Sequence, residues 1–183
     1  MNIPNTITML RILLVPLLAH FLLLGNYGAA IWVLLGAGIS DVLDGFIARR
    51  LNQLTYLGSV LDPLADKFLI IVSACVLAWL GLLPWWLTAV ILIRDLIIVA
   101  GAIVYYLRAG GIEMNPSIPS KANTLVQTCL IFLVLGNAAG IIGATGWLPG
   151  LFGLALFTTT FSGVHYIVLW GRKGAALKPK ADQ

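Results

Sequence analysis

The sequence predicts an all-α protein that crosses a membrane six times, with its site at the cytoplasmic interface. Three observations lead there. The 183 residues are 60% hydrophobic and only 10% charged, where a soluble domain carries roughly 25% charged residues. Six apolar runs approach or exceed the ~18–20 residues a helix needs to cross a bilayer. These runs lack the strict alternation of β-barrel strands.

The expected spans, in order, are 6–24, 28–49, 58–80, 84–107, 121–142 and 147–170. The first has no basic stretch before its apolar run and no small-residue cleavage pattern after it, so it reads as a retained span rather than a signal peptide. Gly25-Asn26-Tyr27-Gly28 supplies turn chemistry before the second span, and Gly81 to Pro84 does so before the fourth. Pro84 opens that span, where a missing N–H costs little. The segment 109–120 is rich in Gly and Pro and is not expected to be helical throughout. It reads more readily as a connector than as a lid. Gly143 to Gly146 makes the last turn. The membrane domain is expected over 1–173, followed by a polar, basic, frayed tail over 174–183.

The basic residues set an orientation. Arg49 and Arg50 end the second span, Arg108 and Lys121 bracket the connection after the fourth, and Arg172, Lys173, Lys178 and Lys180 occupy the tail. The three opposite connections hold no Lys or Arg, so both termini are expected in the cytoplasm of an integral, multi-pass membrane protein, with a bacterial inner membrane as the setting. Trp85, Trp86 and Trp147 fit an aromatic belt on the far side. The net charge of +4 lies between apolar spans, not in basic stripes among aromatics as in a nucleic-acid binder. A phosphate-bearing substrate or an anionic lipid surface suits it better. Cys75 and Cys129 have no metal-site spacing and read as buried, inert thiols. His20 and His165 read as packing residues. No internal repeat of the transporter kind is visible.

Four of the seven acidic residues, Asp41, Asp44, Asp62 and Asp66, stand in one stretch. Carboxylates beside hydrocarbon are costly and point to function. Four together repel unless a cation lies among them, and oxygen-only ligands suit Mg²⁺ or Mn²⁺. Asp41 and Asp44 are three apart and share a helix face, as do Asp62 and Asp66 at four apart. Two helices joined by an eight-residue loop bring their acidic ends together. Asp62, followed by Pro63, has a second reading as the N-cap of its helix. Gly45, Ala48 and Gly58 permit close approach of a ligand, or equally tight helix packing. A metal so held clamps a pyrophosphate, and one carboxylate takes a proton from an attacking hydroxyl. Asp66, at the edge of the set, is the candidate base.

The string Asp41-x2-Asp44-Gly45-x2-Ala48-Arg49-x8-Gly58-x3-Asp62-x3-Asp66 resembles, without a departure, the signature of the CDP-alcohol phosphatidyltransferase family. The resemblance extends over the length and six-span plan of the chain. It implies a homodimeric membrane enzyme that moves a phosphatidyl group from a CDP-linked lipid to an alcohol and releases CMP. It implies Asp41, Asp44 and Asp62 as metal ligands, and Asp66 as general base and additional ligand. Gly45, Ala48, Arg49 and Gly58 would line the CDP site.

The acceptor is read from other residues. The opening Asn2 to Arg11 is similar to the phosphatidylglycerophosphate and cardiolipin synthases of this family. Asn5 and Thr8, one turn apart, either bind the nucleotide or cap the first span. Arg11, inside that span, either snorkels or anchors an anionic acceptor, the preferred expectation. Arg94 and Asp95, as neighbours, point about 100° apart and are not expected to be simply each other's ion pair. Arg11, Arg94 and Lys121 are expected to converge on an acceptor phosphate. Arg94-Asp95, the Ser120-Lys121-Ala122-Asn123-Thr124 opening of span five and the Thr158–Thr160 run resemble the cardiolipin synthases of the single-step, mitochondrial type. The expected substrates are therefore CDP-diacylglycerol and phosphatidylglycerol, with glycerol 3-phosphate as the alternative acceptor. A cation transporter using the Asp cluster is the remote alternative, disfavoured because the acids lie at one membrane face.

Overall fold

The computed structural model describes the backbone over residues 3–51, 56–109, 118–143 and 146–176, and side chains over 9–40, 65–101, 118–143 and 146–169. Every regular element among them is a helix: α1 (Ile3–Leu23), α2 (Tyr27–Leu51), α3 (Tyr56–Trp79), α4 (Trp85–Ala109), α5 (Ile118–Ala138) and α6 (Leu148–Ala176). All six expected segments appear as helices. The boundaries differ most at α5, which stops at Ala138, and at α6, which runs to Ala176 and so takes in the start of the expected tail. An apolar run marks a stretch of hydropathy, whereas a helix such as α6 continues through Arg172 and Lys173 beyond it. Residues 110–117 of the expected connector lie outside the described residues.

The ends of α1, α3 and α5 share one device. Gly25, Gly81 and Gly140 adopt φ near +71° to +74°, a backbone state that costs other residues roughly 1–2 kcal/mol. Each closes the helix with paired bonds: Gly25 N–H to the Leu22 carbonyl and Asn26 N–H to Phe21 for α1, Gly81 to Ala78 and Leu82 to Leu77 for α3, Gly140 to Asn137 and Ile141 to Gly136 for α5. These are glycine C-caps of the Schellman kind. Asn26 then caps α2, its Oδ1 accepting from Ala29 N–H at 3.1 Å. The turns between α1 and α2 and between α3 and α4 are therefore tight, and both lie in connections without Lys or Arg.

The chain divides into two compact units. The first, Met1–Trp85 with Thr128–Leu148, contains α1, α2, α3 and the second half of α5. In it α1 packs against both α2 and α3. The buried stripe of α1 is Arg11, Val15, Leu18 and Leu22, at the spacing of one helix face. The second unit, Trp86–Gln127 with Pro149–Gln183, contains nearly all of α4, the first half of α5 and α6. Its buried residues include Leu87, Ile91 and Ala155, but also Arg94, Asp95, Asn123, Gln127, Thr159 and Ser162.

Beside an apolar core, several charged and polar side chains are buried while many large apolar ones face outward. Arg11 is 1% exposed while Leu13, on the same helix, is 66% exposed. Trp32, Trp79 and Ile118 are likewise presented outward. Cys129, expected to be buried, is exposed, and Cys75 is half-buried. On an apolar helix the outward positions carry small hydrophobes as readily as the inward ones. Among the described residues, Ile118–Ala138 and Leu148–Leu169 are long and apolar enough to cross a membrane. Met9–Leu23 and Tyr27–Ser40 are shorter apolar stretches among the described residues.

Candidate active site

The acidic motif is carried by α2 and α3. Asp41, Asp44, Gly45, Ala48 and Arg49 occupy the last turns of α2, at spacings that place them on one face. Gly58, Asp62 and Asp66 follow at four-residue intervals along the start of α3, again one face. The helices run to Leu51 and from Tyr56, into the expected eight-residue loop, and residues 52–55 between them lie outside the described residues. That connection reaches at most roughly 18 Å.

Two expectations about helix ends are corrected. α3 begins at Tyr56, so Asp62 lies inside the helix and is not its N-cap, and Pro63 follows within it. The apolar Tyr56-Leu57 pair lets the helix start before the proline. α1 begins at Ile3, so Asn5 and Thr8 lie within its first turns rather than capping it. The side chains of Asn5, Thr8, Asp41, Asp44, Gly45, Ala48, Arg49, Gly58 and Asp62 are outside the described residues.

Asp66 is described. Arg11 of α1 donates from Nη1 to its Oδ1 at 2.9 Å, across 55 residues of sequence. The pair is uneven, with the arginine side chain 1% exposed and the aspartate 41%. The expected role of Arg11 took no account of this partner. An i,i+4 pattern names the face of a helix, but not which charge of another helix will meet it.

The second unit holds Arg94 and Lys121. Arg94 and Asp95 do form an ion pair, Nη1 to Oδ1 at 2.6 Å, but, as expected, they are not simply each other's partners. The long arginine stem folds back across the angle that separates neighbouring Cβ positions. Arg94 Nη2 also donates to Ser120 Oγ on α5 and to Ser162 Oγ on α6, each at 2.8 Å. One guanidinium therefore ties three helices together. It also fixes the first turn of α5, where the exposed Lys121 stands next to Ser120. Arg11, by contrast, lies in the first unit and pairs there with Asp66.

A polar seam extends from this point. Gln127 Nε2 donates to Thr159 Oγ1 at 3.2 Å, and Thr159 Oγ1 donates to Asn123 Oδ1 at 2.9 Å. All three residues are buried. The sequence signal was the polar repeat Ser120, Asn123, Gln127 at three- and four-residue steps, facing the Thr158–Thr160 run. Thr159→Val removes both bonds and strands two buried amides. It is expected to cost about 1–2 kcal/mol, read as a lowered midpoint of thermal unfolding in detergent. An unchanged midpoint would show the seam to be energetically idle.

The donor set suits a divalent cation: four carboxylates, paired at helical spacing on two helices whose ends are linked by four residues.

Comparison with known proteins gives one consistent picture. The family described as CDP-alcohol phosphatidyltransferase matches residues 1–162. A cardiolipin synthase (CMP-forming) of Rattus norvegicus is 35% identical over 94% of this chain and 62% of its own length. A protein of the same description from Streptomyces coelicolor is 33% identical over 93% of this chain and 78% of its own. A probable phosphatidylglycerophosphate synthase of Mycobacterium tuberculosis is 34% identical, covering 91% and 80%. The chain spans less than two thirds of the rat protein.

Proposed function

Because this chain belongs to the CDP-alcohol phosphatidyltransferase family, we propose that it moves a phosphatidyl group from CDP-diacylglycerol to the hydroxyl of phosphatidylglycerol, giving cardiolipin and CMP. The observation that carries this is the unbroken eight-residue motif on two helices joined by residues 52–55. The acceptor rests on the cardiolipin synthases among the relatives. Glycerol 3-phosphate is the second reading, favoured by the similarity to a probable phosphatidylglycerophosphate synthase over most of both chains.

In this reading the acceptor oxygen attacks the phosphorus that bears the diacylglycerol. A new P–O bond forms, the bond to the CMP phosphate breaks, and CMP leaves with the electron pair. Asp66 takes the proton of the attacking hydroxyl. Asp41, Asp44 and Asp62, with Asp66 as an additional ligand, hold Mg²⁺ or Mn²⁺, which when bound supplies positive charge against the diphosphate. Asn5, Thr8, Gly45, Ala48, Arg49 and Gly58 receive the CDP moiety. Lys121 is assigned to the acceptor phosphate, with Arg94 supporting it through Ser120 in the same turn.

The protein is further read as spanning the membrane six times, as a homodimer, with both termini and the site on the cytoplasmic side. The outward apolar side chains and inward charges support the membrane reading, and the positive-inside rule supports the orientation. The experiment is a single assay of purified chain with CDP-diacylglycerol, Mg²⁺ or Mn²⁺, and either phosphatidylglycerol or glycerol 3-phosphate, with the lipid product weighed by mass spectrometry. Cardiolipin in the first arm is expected. Phosphatidylglycerophosphate alone would move the assignment to the second acceptor, and CMP release in neither arm would remove the transferase reading.

A further inference from the structure

We propose that Arg11 is a positioning residue for Asp66, orienting its carboxylate toward the acceptor hydroxyl, and not an anchor for the acceptor phosphate. The inference rests on the transferase reading and on Asp66 as its base.

Arg11 occupies a core position. It continues the buried stripe of Val15, Leu18 and Leu22 along α1, so its stem is fixed by packing. A snorkelling arginine keeps its charged head in water, but this side chain is 1% exposed. An anchor for an incoming phosphate must present its guanidinium to the entry route, and burial at this level denies that. The charge cannot be shed, because a guanidinium stays protonated in proteins. It therefore requires a carboxylate, and Asp66 meets it at 2.9 Å.

The geometry runs from the fixed partner to the movable one. Asp66 is 41% exposed on its side-chain surface, yet it follows Ala65 and precedes Leu69, both buried on α3. α3 packs against α1, so the contact joins two helices already held together. A charge-assisted hydrogen bond to one carboxylate oxygen sets the plane and rotamer of the group. Proton abstraction depends on that orientation, since a misplacement of ~1 Å costs about 100-fold in rate.

The test compares wild type, Arg11→Gln and Arg11→Lys. Each is assayed for kcat, for KM of the acceptor, and for direct binding of CDP-diacylglycerol. Arg11→Gln is expected to lower kcat by about 100-fold while acceptor KM and CDP-diacylglycerol binding stay within about twofold, the pattern of an interaction made in the transition state. Arg11→Lys keeps a cation and is expected to recover about tenfold of the loss. A raised acceptor KM with kcat unchanged, in either variant, overturns the proposal in favour of phosphate anchoring. Should Arg11→Gln fail to fold, Arg11→Lys decides alone: a kcat defect supports positioning, and a KM defect or wild-type kinetics overturns it. A wild-type chain that releases no CMP under the same conditions overturns the transferase reading itself, an outcome distinct from any difference among the variants.

Discussion

Asp66→Asn is expected to lower turnover by about 10²–10⁴-fold, the contribution of a well-placed general base, while CDP-diacylglycerol still binds. The amide cannot accept the proton of the acceptor hydroxyl, but it retains an oxygen for Arg11. The variant does remove the Asp66 charge from Arg11, and breaking a buried pair costs about 3–5 kcal/mol when both members are enclosed. Here the aspartate side is 41% exposed, so water offsets part of that cost and the folded state is expected to survive. Equilibrium binding of CDP-diacylglycerol beside single-turnover CMP release separates the two effects. Turnover at the wild-type rate would remove Asp66 as the base. Loss of binding together with turnover would leave Asp66 with its ligand role and remove the evidence for it as the base.

The largest effect on stability is expected at Asp95. Asp95→Ala leaves the Arg94 guanidinium, only 4% exposed, with its serine contacts but without its carboxylate. Removing one partner of a buried pair costs about 3–5 kcal/mol. Thermal unfolding in detergent should show a large fall in midpoint. The double variant Arg94→Met with Asp95→Leu is expected to regain most of that loss, because an apolar pair of similar volume strands no charge. If the double variant is no more stable than Asp95→Ala, the two serine bonds of Arg94 hold the helices, and the ion pair adds little. The acceptor KM of the double variant also reads the role given to Arg94 in fixing the turn that bears Lys121.

What was legible in the sequence follows from the kind of signal each feature leaves. The six helices were visible because apolar runs of membrane length leave few other options for a backbone that must satisfy its own hydrogen bonds. The ends were less so. α6 outruns its apolar segment and α3 starts before Pro63, because helix termini depend on local capping rather than on hydropathy. The acidic motif was fully legible, since its content lies in residue types and fixed gaps. The partners of the buried arginines were not. Arg94 bonds Ser120 and Ser162 on other helices, and Arg11 of α1 reaches Asp66 on α3. Those contacts depend on which faces pack together, and no periodicity within one helix encodes that. For the neighbours Arg94 and Asp95, helical geometry separates the Cβ directions and side-chain length closes the gap, so the pair forms alongside the serine bonds.

That last pair has a consequence for how the protein is made. Arg94 meets Ser162 only after a further 68 residues have been synthesised, and Ser120 after 26. Asp95 is the very next residue, so the two opposite charges leave the ribosome together. On the membrane reading, α4 enters the bilayer already carrying its own neutraliser. Its insertion need not wait for α5 or α6, and the serine contacts are added later to a helix already in place.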